Sequence, residues 1–444
     1  MRTRWMIGLF VCIVFLETGG WAQEVPAPLS LEESIQIALE RNLNLQSAFE
    51  DVKGSEFRMK AARSDFFATW IGQYSYTRYS DAVALGTRRI AGVGGIETTG
   101  QSRDVYNFNT TLGQPLFTGG RLSSNYRLEQ LGIDISKSNV EVFRRDVVLL
   151  VREGYFNILR AEKFVDVGTQ AVKQFEAQLE VAQAFFDVGL VAKNDVLQAD
   201  VRLANARQAL VSAENNLALS KSSFNTLLRR DINSPLSVVD ILDYKPYPLT
   251  FEEALGEALL QRPEIRAAEL SVGQAKEAVK IAQSEYWPTL RLVGNYGRSS
   301  DAIYLNGDLK EEGWTAAGLA TFTIFDWGKT YYRVGESKVR VNQAENSKSQ
   351  LVDSIVLEVK QAYLEMLRAE KNVGVSETSI AQAEENLRMN EERYKYQVAT
   401  ATDVLDAVVL LAQARVNYVS ALADFNIAKA ALDRAMGRIP LAQR

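Results

Sequence analysis

Apolar residues recur at every seventh position over stretches longer than any globular core requires. Val151, Ile158, Val165, Val172, Leu179 and Phe186 form one series, with Gly154, Ala161, Gly168, Phe175 and Ala182 three positions on. A second series, Val359, Met366, Val373, Ile380, Leu387 and Tyr394, stands 208 residues later. Both predict heptad-patterned helices that pack along a seam. After a short break each series restarts, first as Val196, Leu203, Leu210, Leu217 and Phe224, then as Val404, Leu411, Tyr418, Phe425 and Leu432. In the last helix the partner positions are Ala407, Ala414, Ala421, Ala428 and Ala435, so large residues alternate with alanine and a neighbouring helix can approach closely. The run over 121–187 predicts a rod of roughly 100 Å, at about 1.5 Å per residue.

The two series belong to an internal repeat. "SLEESIQIALERN" from Ser30 matches "TFEEALGEALLQR" from Thr250, and "SDFFATW" from Ser64 matches "SEYWPTL" from Ser284, both at an offset of 220. "PLFTGGR" from Pro115 matches "TIFDWGK" from Thr323, and "LRAEK" stands at Leu159 and Leu367, now at an offset of 208. The difference falls in "DAVALGTRRIAGVGGIETTGQSRD", a longer loop than its counterpart "DAIYLNGDLKEEG". The predicted layout is a leader over 1–22, a first repeat over 23–240, a second over 241–438 and a tail over 439–444. Strands are expected at 68–80, 104–116, 288–300 and 313–325. The helices that follow them are expected at 121–187 and 194–230, then at 329–396 and 402–437.

Around the variable loops the period drops from seven to two. Trp70, Gly72, Tyr74 and Tyr76 alternate with Ile71, Gln73 and Ser75, and Tyr106, Phe108, Leu112 and Leu116 with more polar neighbours. Leu290, Leu292 and Tyr296, then Trp314, Ala316, Ala320, Phe322 and Ile324, repeat the pattern. Phe66, Phe67, Tyr286, Trp287 and Trp327 border these runs. Strands of about ten residues with one apolar face and aromatic borders carry the signature of a transmembrane barrel. Four strands close no barrel, and an open edge is not tolerated in lipid, so a membrane reading requires several copies. The rival reading is a soluble sheet that caps a coiled-coil rod.

Composition narrows the choice. The chain of 444 residues has no histidine, and its one cysteine, Cys12, lies in the leader. That removes the commonest general base and the usual zinc sets, and with them most enzyme readings. "GVGGIETTG" from Gly92 lacks the lysine and the strand-to-helix setting of a phosphate loop. Arg2 and Arg4 before the apolar run Met6–Leu16, with Gly20-Trp21-Ala22 after it, read as an export signal. The formal net charge of −5 falls to about −6 once that leader is removed, which argues against nucleic acid. After the leader there is no stretch of eighteen apolar residues, so entry into a membrane would be as strands.

The repeat, the "PLFTGGR" junction and the turns "VGLVAKNDVLQA" and "TATDVLDA" resemble the TolC family of outer-membrane efflux and secretion channels of Gram-negative bacteria, over about residues 28–438. The resemblance implies a mainly α fold with transmembrane β: a homotrimer whose twelve strands form a barrel in outer-membrane lipid, continuous with a long periplasmic α-helical barrel. It implies passive export after docking of a periplasmic adaptor and an inner-membrane pump of the RND, ABC or MFS type. The exported substrate stays open between drugs, metal ions and proteins. No catalytic residue, cofactor or resident metal is implied.

By alignment to the family's turns, Val188, Gly189 and Leu190 fall on the adaptor-docking tip, followed by Asp195, with Val398 and Thr402 on the second tip. Asp403 and Asp406 fall where family members place rings of aspartate at the aperture, and Tyr394 on a tyrosine that holds the closed state. Three copies would bring six carboxylates round a narrow pore, a cation filter and divalent-ion site. The plainer alternative is a helix-capping Asp403 and a solvated Asp406. Asp195 is expected to cap its helix together with Asn194. Gln397 replaces the glycine of the first turn, so the second bend is expected to form differently. Ala399 stands where the family has a gate arginine, so the charged latch to Asp195 is expected to be missing. Two rivals remain: a structural trimeric coiled coil of the envelope without transport, and a periplasmic adaptor, for whose additional domains the repeats leave no room.

Overall fold

The computed structural model describes residues 28–80, 102–307 and 310–438. The leader with Cys12, most of the glycine-rich loop and the tail over 439–444 lie outside the described residues. Each repeat opens on two short helices, α1 (Leu31–Arg41) and α2 (Leu43–Ser64), then α5 (Phe251–Gln261) and α6 (Pro263–Gln283). Ser30 starts α1 and Thr250 starts α5 in the same way: each hydroxyl accepts the amide of the glutamate three residues on, Glu33 or Glu253, whose carboxylate accepts the capping amide in return.

Four strands follow as an antiparallel meander: β1 (Thr69–Arg78), β2 (Asp104–Phe117), β3 (Thr289–Ser300) and β4 (Lys310–Thr321). The β2–β3 pairing, with Leu112 opposite Gly294 and Thr110 opposite Tyr296, joins the two repeats into one sheet. β1 and β4 are its edges, unpaired on their outer sides among the described residues. The alternation through Phe322 and Ile324 runs past the end of β4. There the Asp326 carboxylate accepts the amides of Gly328 and Thr330 and turns the backbone into the next helix.

From the sheet descend α3 (Arg121–Asp187) and α7 (Lys329–Lys395), 67 residues each. α4 (Lys193–Leu227) and α8 (Ala401–Ala435), 35 residues each, return. α8 lies between α7 and α3, and α4 packs on the other side of α3. The heptad positions Val404, Leu411, Phe425 and Leu432 of α8 are buried, as are Ala407, Ala414, Ala421 and Ala435 between them. By length and composition α8 would pass for a membrane span. Its apolarity serves this seam, because a helix flanked on two sides buries more than one stripe.

Backbone conformation follows the repeat even where glycine does not. Gly119 has φ +61° and its mate Trp327 +56°; Gly437 has +79° and its mate Arg229 +56°. Space is most limiting at Gly119: a Cβ there would lie 2.6 Å from the Ser284 carbonyl oxygen and 2.8 Å from Cβ of Trp287, against 3.1 Å from the Gln261 carbonyl carbon at Gly437.

Where α5 and α6 meet the long helices, a set of ion pairs ties both repeats together. Arg262, 5% exposed, donates to both oxygens of Glu264 at 2.7 and 3.2 Å and to Glu358 of α7 at 2.6 Å. Arg434 of α8 reaches Glu358 as well, and Asp146 of α3 at 2.9 Å. Beside them Asp433 accepts from Arg152 at 2.9 Å and from the Tyr247 hydroxyl at 2.7 Å, and Arg438 grips Glu257 through two bonds of 2.6 Å.

Candidate functional site

The far ends of the rods bring both turns together. α3 ends in a left-handed cap at Gly189, φ +77°, with the Leu190 amide donating to the Phe185 carbonyl at 2.8 Å and the Gly189 amide to Phe186 at 2.9 Å. α7 ends in the same motif: Gln397 has φ +61°, the Val398 amide donates to Arg393 at 2.9 Å and the Gln397 amide to Tyr394 at 3.0 Å. The bend is therefore made alike in both repeats, which corrects the expectation drawn from the missing glycine. A side chain in the left-handed region costs roughly 1–2 kcal/mol, and the closed hydrogen bonds hold it there. No heavy atom lies within 4 Å of a Cβ added at Gly189, so Gly189→Gln should cost only that strain, about 1 kcal/mol. Hydrogen exchange should find it confined to the tip; a drop in global stability would show that the loop has packing partners.

The helices leaving the turns start differently. Thr400 caps α8 through a capping box: its amide and hydroxyl both donate to the Asp403 carboxylate at 2.8 Å, and the Asp403 amide donates back at 3.2 Å. The bond from the Thr400 amide, with that from its hydroxyl, holds the Asp403 carboxyl below the usual carboxylate range. α4 begins at Ala192, which has no side-chain acceptor. Asn194 and Asp195 lie inside its first turn, so the expected cap by Asp195 is not made. Its charge meets the positive helix end without a direct bond.

Arg202 of α4 donates to Asp406 at 2.8 Å and the Thr402 hydroxyl to Gln198 at 2.9 Å. Asp406 is thus an exposed carboxylate that makes one ion pair. Arg202 and Gln198 went unnoticed in the sequence, although both pairs join residues 204 apart, as two parallel helices stepping together must. An open groove of about 490 Å³ lies here, bordered by Asn194, Leu197, Val201 and Leu405.

Tyr394 is buried in the tip core against Phe185, ring centroids 5.4 Å apart, and its hydroxyl has no hydrogen-bond partner. Burial, then the nearby Asp195 charge, pushes its phenol up. Ala399 packs partly buried against the same core, and the Asp195 carboxylate has neither hydrogen bond nor ion pair among the described residues. Val188, Leu190 and Val398 are exposed, at 70%, 56% and 64%. The predicted residues thus gather at one end of the rods: apolar side chains point outward, two carboxylates sit one turn apart on α8, and an unpartnered phenol lies beneath them. Among the described residues no three side chains are grouped to hold a metal ion within one chain.

Comparison with known proteins places this geometry. The family model described as outer membrane efflux protein matches residues 34–228 and 254–438. The chain is 23% identical over 406 residues to the outer membrane efflux protein BepC of Brucella suis biovar 1, covering 90% of this chain and 84% of that protein. It is 26% identical over 310 residues to the outer membrane protein TolC of Vibrio cholerae, covering 67% and 68%. The crystal structure of the CmeC outer membrane channel of Campylobacter jejuni superposes with a TM-score of 0.75 at 19% identity, over 92% of this chain and 85% of that one.

Proposed function

We propose a working form for this chain from one premise: it belongs to the outer membrane efflux protein family. It serves efflux from the outer membrane. In the proposed form three copies close a twelve-stranded barrel in the lipid, and their α3, α4, α7 and α8 close a helical tunnel below it. A periplasmic adaptor and an inner-membrane pump dock at the tips, and substrates pass without chemistry on this chain.

The observation that supports closure is unequal burial of repeat mates. α8 buries sixteen of its residues and α4 four, although both run for 35. α8 packs at length on two helices, α7 and α3, whereas α4 packs at length on α3 and meets α8 much less. β1 and β4 are open in the same sense, and lipid tolerates no open edge. A closed ring of copies satisfies all of these faces at once. The native mass of protein extracted from outer membranes in mild detergent should be that of three chains; a monomer there, or recovery from the soluble periplasm, sinks this reading.

Closure in threes would gather Asp403 and Asp406 from each copy at the aperture, six carboxylates in all. Replacing both with asparagine should lower the preference for cations over anions in planar-bilayer recordings, by about threefold or more. The Arg202 pair is half-exposed, so its loss costs below about 1 kcal/mol and leaves the channel intact. Unchanged ion selectivity in the double variant would remove both residues from the pore lining.

A further inference from the structure

Within one chain α6 is held from two sides, by α3 and by α7. Its repeat mate α2 packs extensively on α3 alone among the described elements, and α7, the mate of α3, has no counterpart of the α3–α6 contact on its other side. The repeat itself says what covers the two free faces: α7 of one copy receives α2 of the next, as α3 receives α6 within a copy.

The residues support that register. In the α3–α6 seam Arg127 pairs with Glu277 at 3.3 Å, and Glu277 is 8% exposed. Gln274 donates to the Leu128 carbonyl at 3.0 Å beside Gly132, where a Cβ would lie 3.2 Å from its amide nitrogen. Gly119 closes on Ser284 and Trp287. Moving the α3 side of each pair by 208 and the α6 side by 220 turns Arg127–Glu277 into Gly335–Phe57, Gly132–Gln274 into Arg340–Gly54, and Gly119–Trp287 into Trp327–Phe67. In the second pair the large and the small residue have changed sides, and in the first an ion pair has become a phenyl ring facing a glycine. Positions that never meet have no need of such compensation. In a single copy Phe57 is 67% exposed and Trp327 87%, with Tyr332 and Val339 also exposed along the same face of α7.

We propose that these faces are the seam between copies near the membrane: Phe57 of one copy seats in the notch left by Gly335 of the next, between Tyr332 and Val339, Arg340 fills the space left by Gly54, and Trp327 covers Phe67. The proposal rests on the trimer reading and adds its register and its chemistry. Seams inside a copy carry an ion pair at this level, and seams between copies carry an aromatic ring in its place. Salt screens the first and leaves the second in force.

The test uses the full chain with Cys12→Ser, Phe57→Cys and Gly335→Cys, treated in outer membranes with a short bis-maleimide. Covalent dimers and trimers are expected, and neither single variant should give them. In parallel, Phe57→Glu should lower trimer recovery by about tenfold, because it buries a charge without a partner. Adding Gly335→Arg, which imports the internal ion pair, should restore it. A chain of trimeric native mass that neither cross-links nor responds to Phe57→Glu overturns this register while leaving the trimer standing, and assigns the exposed face to lipid or to another protein. A monomeric native mass overturns the trimer reading and the seam with it.

Discussion

Arg262→Ala is expected to destabilise the chain by about 3–5 kcal/mol, the cost of removing one partner from a buried ionic set. Arg262 is nearly inaccessible and makes three bonds to two carboxylates, Glu264 and Glu358, which it shares with Arg434. Without it those charges face each other in a half-buried site. Burial alone would raise the Glu264 carboxyl; the Arg262 fork, a backbone amide and the charges of Arg262 and Arg434 together outweigh it, leaving the group below its ordinary value of 4.5. A depressed carboxyl contributes stability above its ordinary value and loses it as the pH falls through the lowered one, so the wild type should weaken below about pH 4.5. The variant should lack that part of the acid transition. Thermal unfolding of detergent-extracted protein between about pH 2 and 7 measures both effects. Arg262→Lys should recover only part, since an ammonium cannot make the two-pronged contact with Glu264. A melting point within a degree or two of wild type in Arg262→Ala would mean that Arg434 alone holds Glu358 and Glu264.

Gly119→Val should be as damaging, for a different reason. The backbone at 119 is left-handed, where a side chain costs roughly 1–2 kcal/mol and a β-branched one more. The new Cβ would also sit 2.6 Å from a backbone carbonyl that cannot move without shifting the start of β3, and overpacking of that kind adds about 1–3 kcal/mol. Together these exceed what the junction between β2 and α3 can absorb, and little protein should reach the outer membrane. Trp327→Gly occupies the equivalent turn in the second repeat and relieves its backbone strain, so the single chain should still fold, although the ring contact with Phe325 and the cover proposed over Phe67 are lost. Equal membrane recovery of Gly119→Val and wild type would show that the sheet and the rods can separate at this point.

Much of the architecture was legible because it is periodic and occurs twice. Val151 and Ile158, Val359 and Met366, Val404 and Leu411 stand seven apart and are buried, since a seven-residue spacing returns a side chain to the same stripe of a helix. The alternation from Trp70 to Tyr76 lies in β1 for the parallel reason that a strand reverses its face at every residue. The tips were found by likeness of their turns, and the structure brings those residues to one end of the rods. Gln397 misled because glycine is the usual occupant of a left-handed cap, yet the hydrogen bonds that close the cap are made by the backbone and form for either residue. Asp195 misled because an aspartate near a helix start resembles a cap, and three residues of register, from Ala192 to Asp195, put it inside the first turn instead.

What no run of residues carried is partnership between elements far apart in the chain. Arg202 with Asp406, Arg262 with Glu358 and Arg152 with Asp433 join positions from 96 to 281 residues apart, and any charged residue on an exposed stripe looks the same until the helices are laid side by side. Period, repeat and turn are properties of neighbours, so the order of residues determines them. Which of two helices of equal length packs at length on a second neighbour, and which waits for one, is a property of the closed surface. The unequal burial of α4 and α8 was therefore decided only in three dimensions.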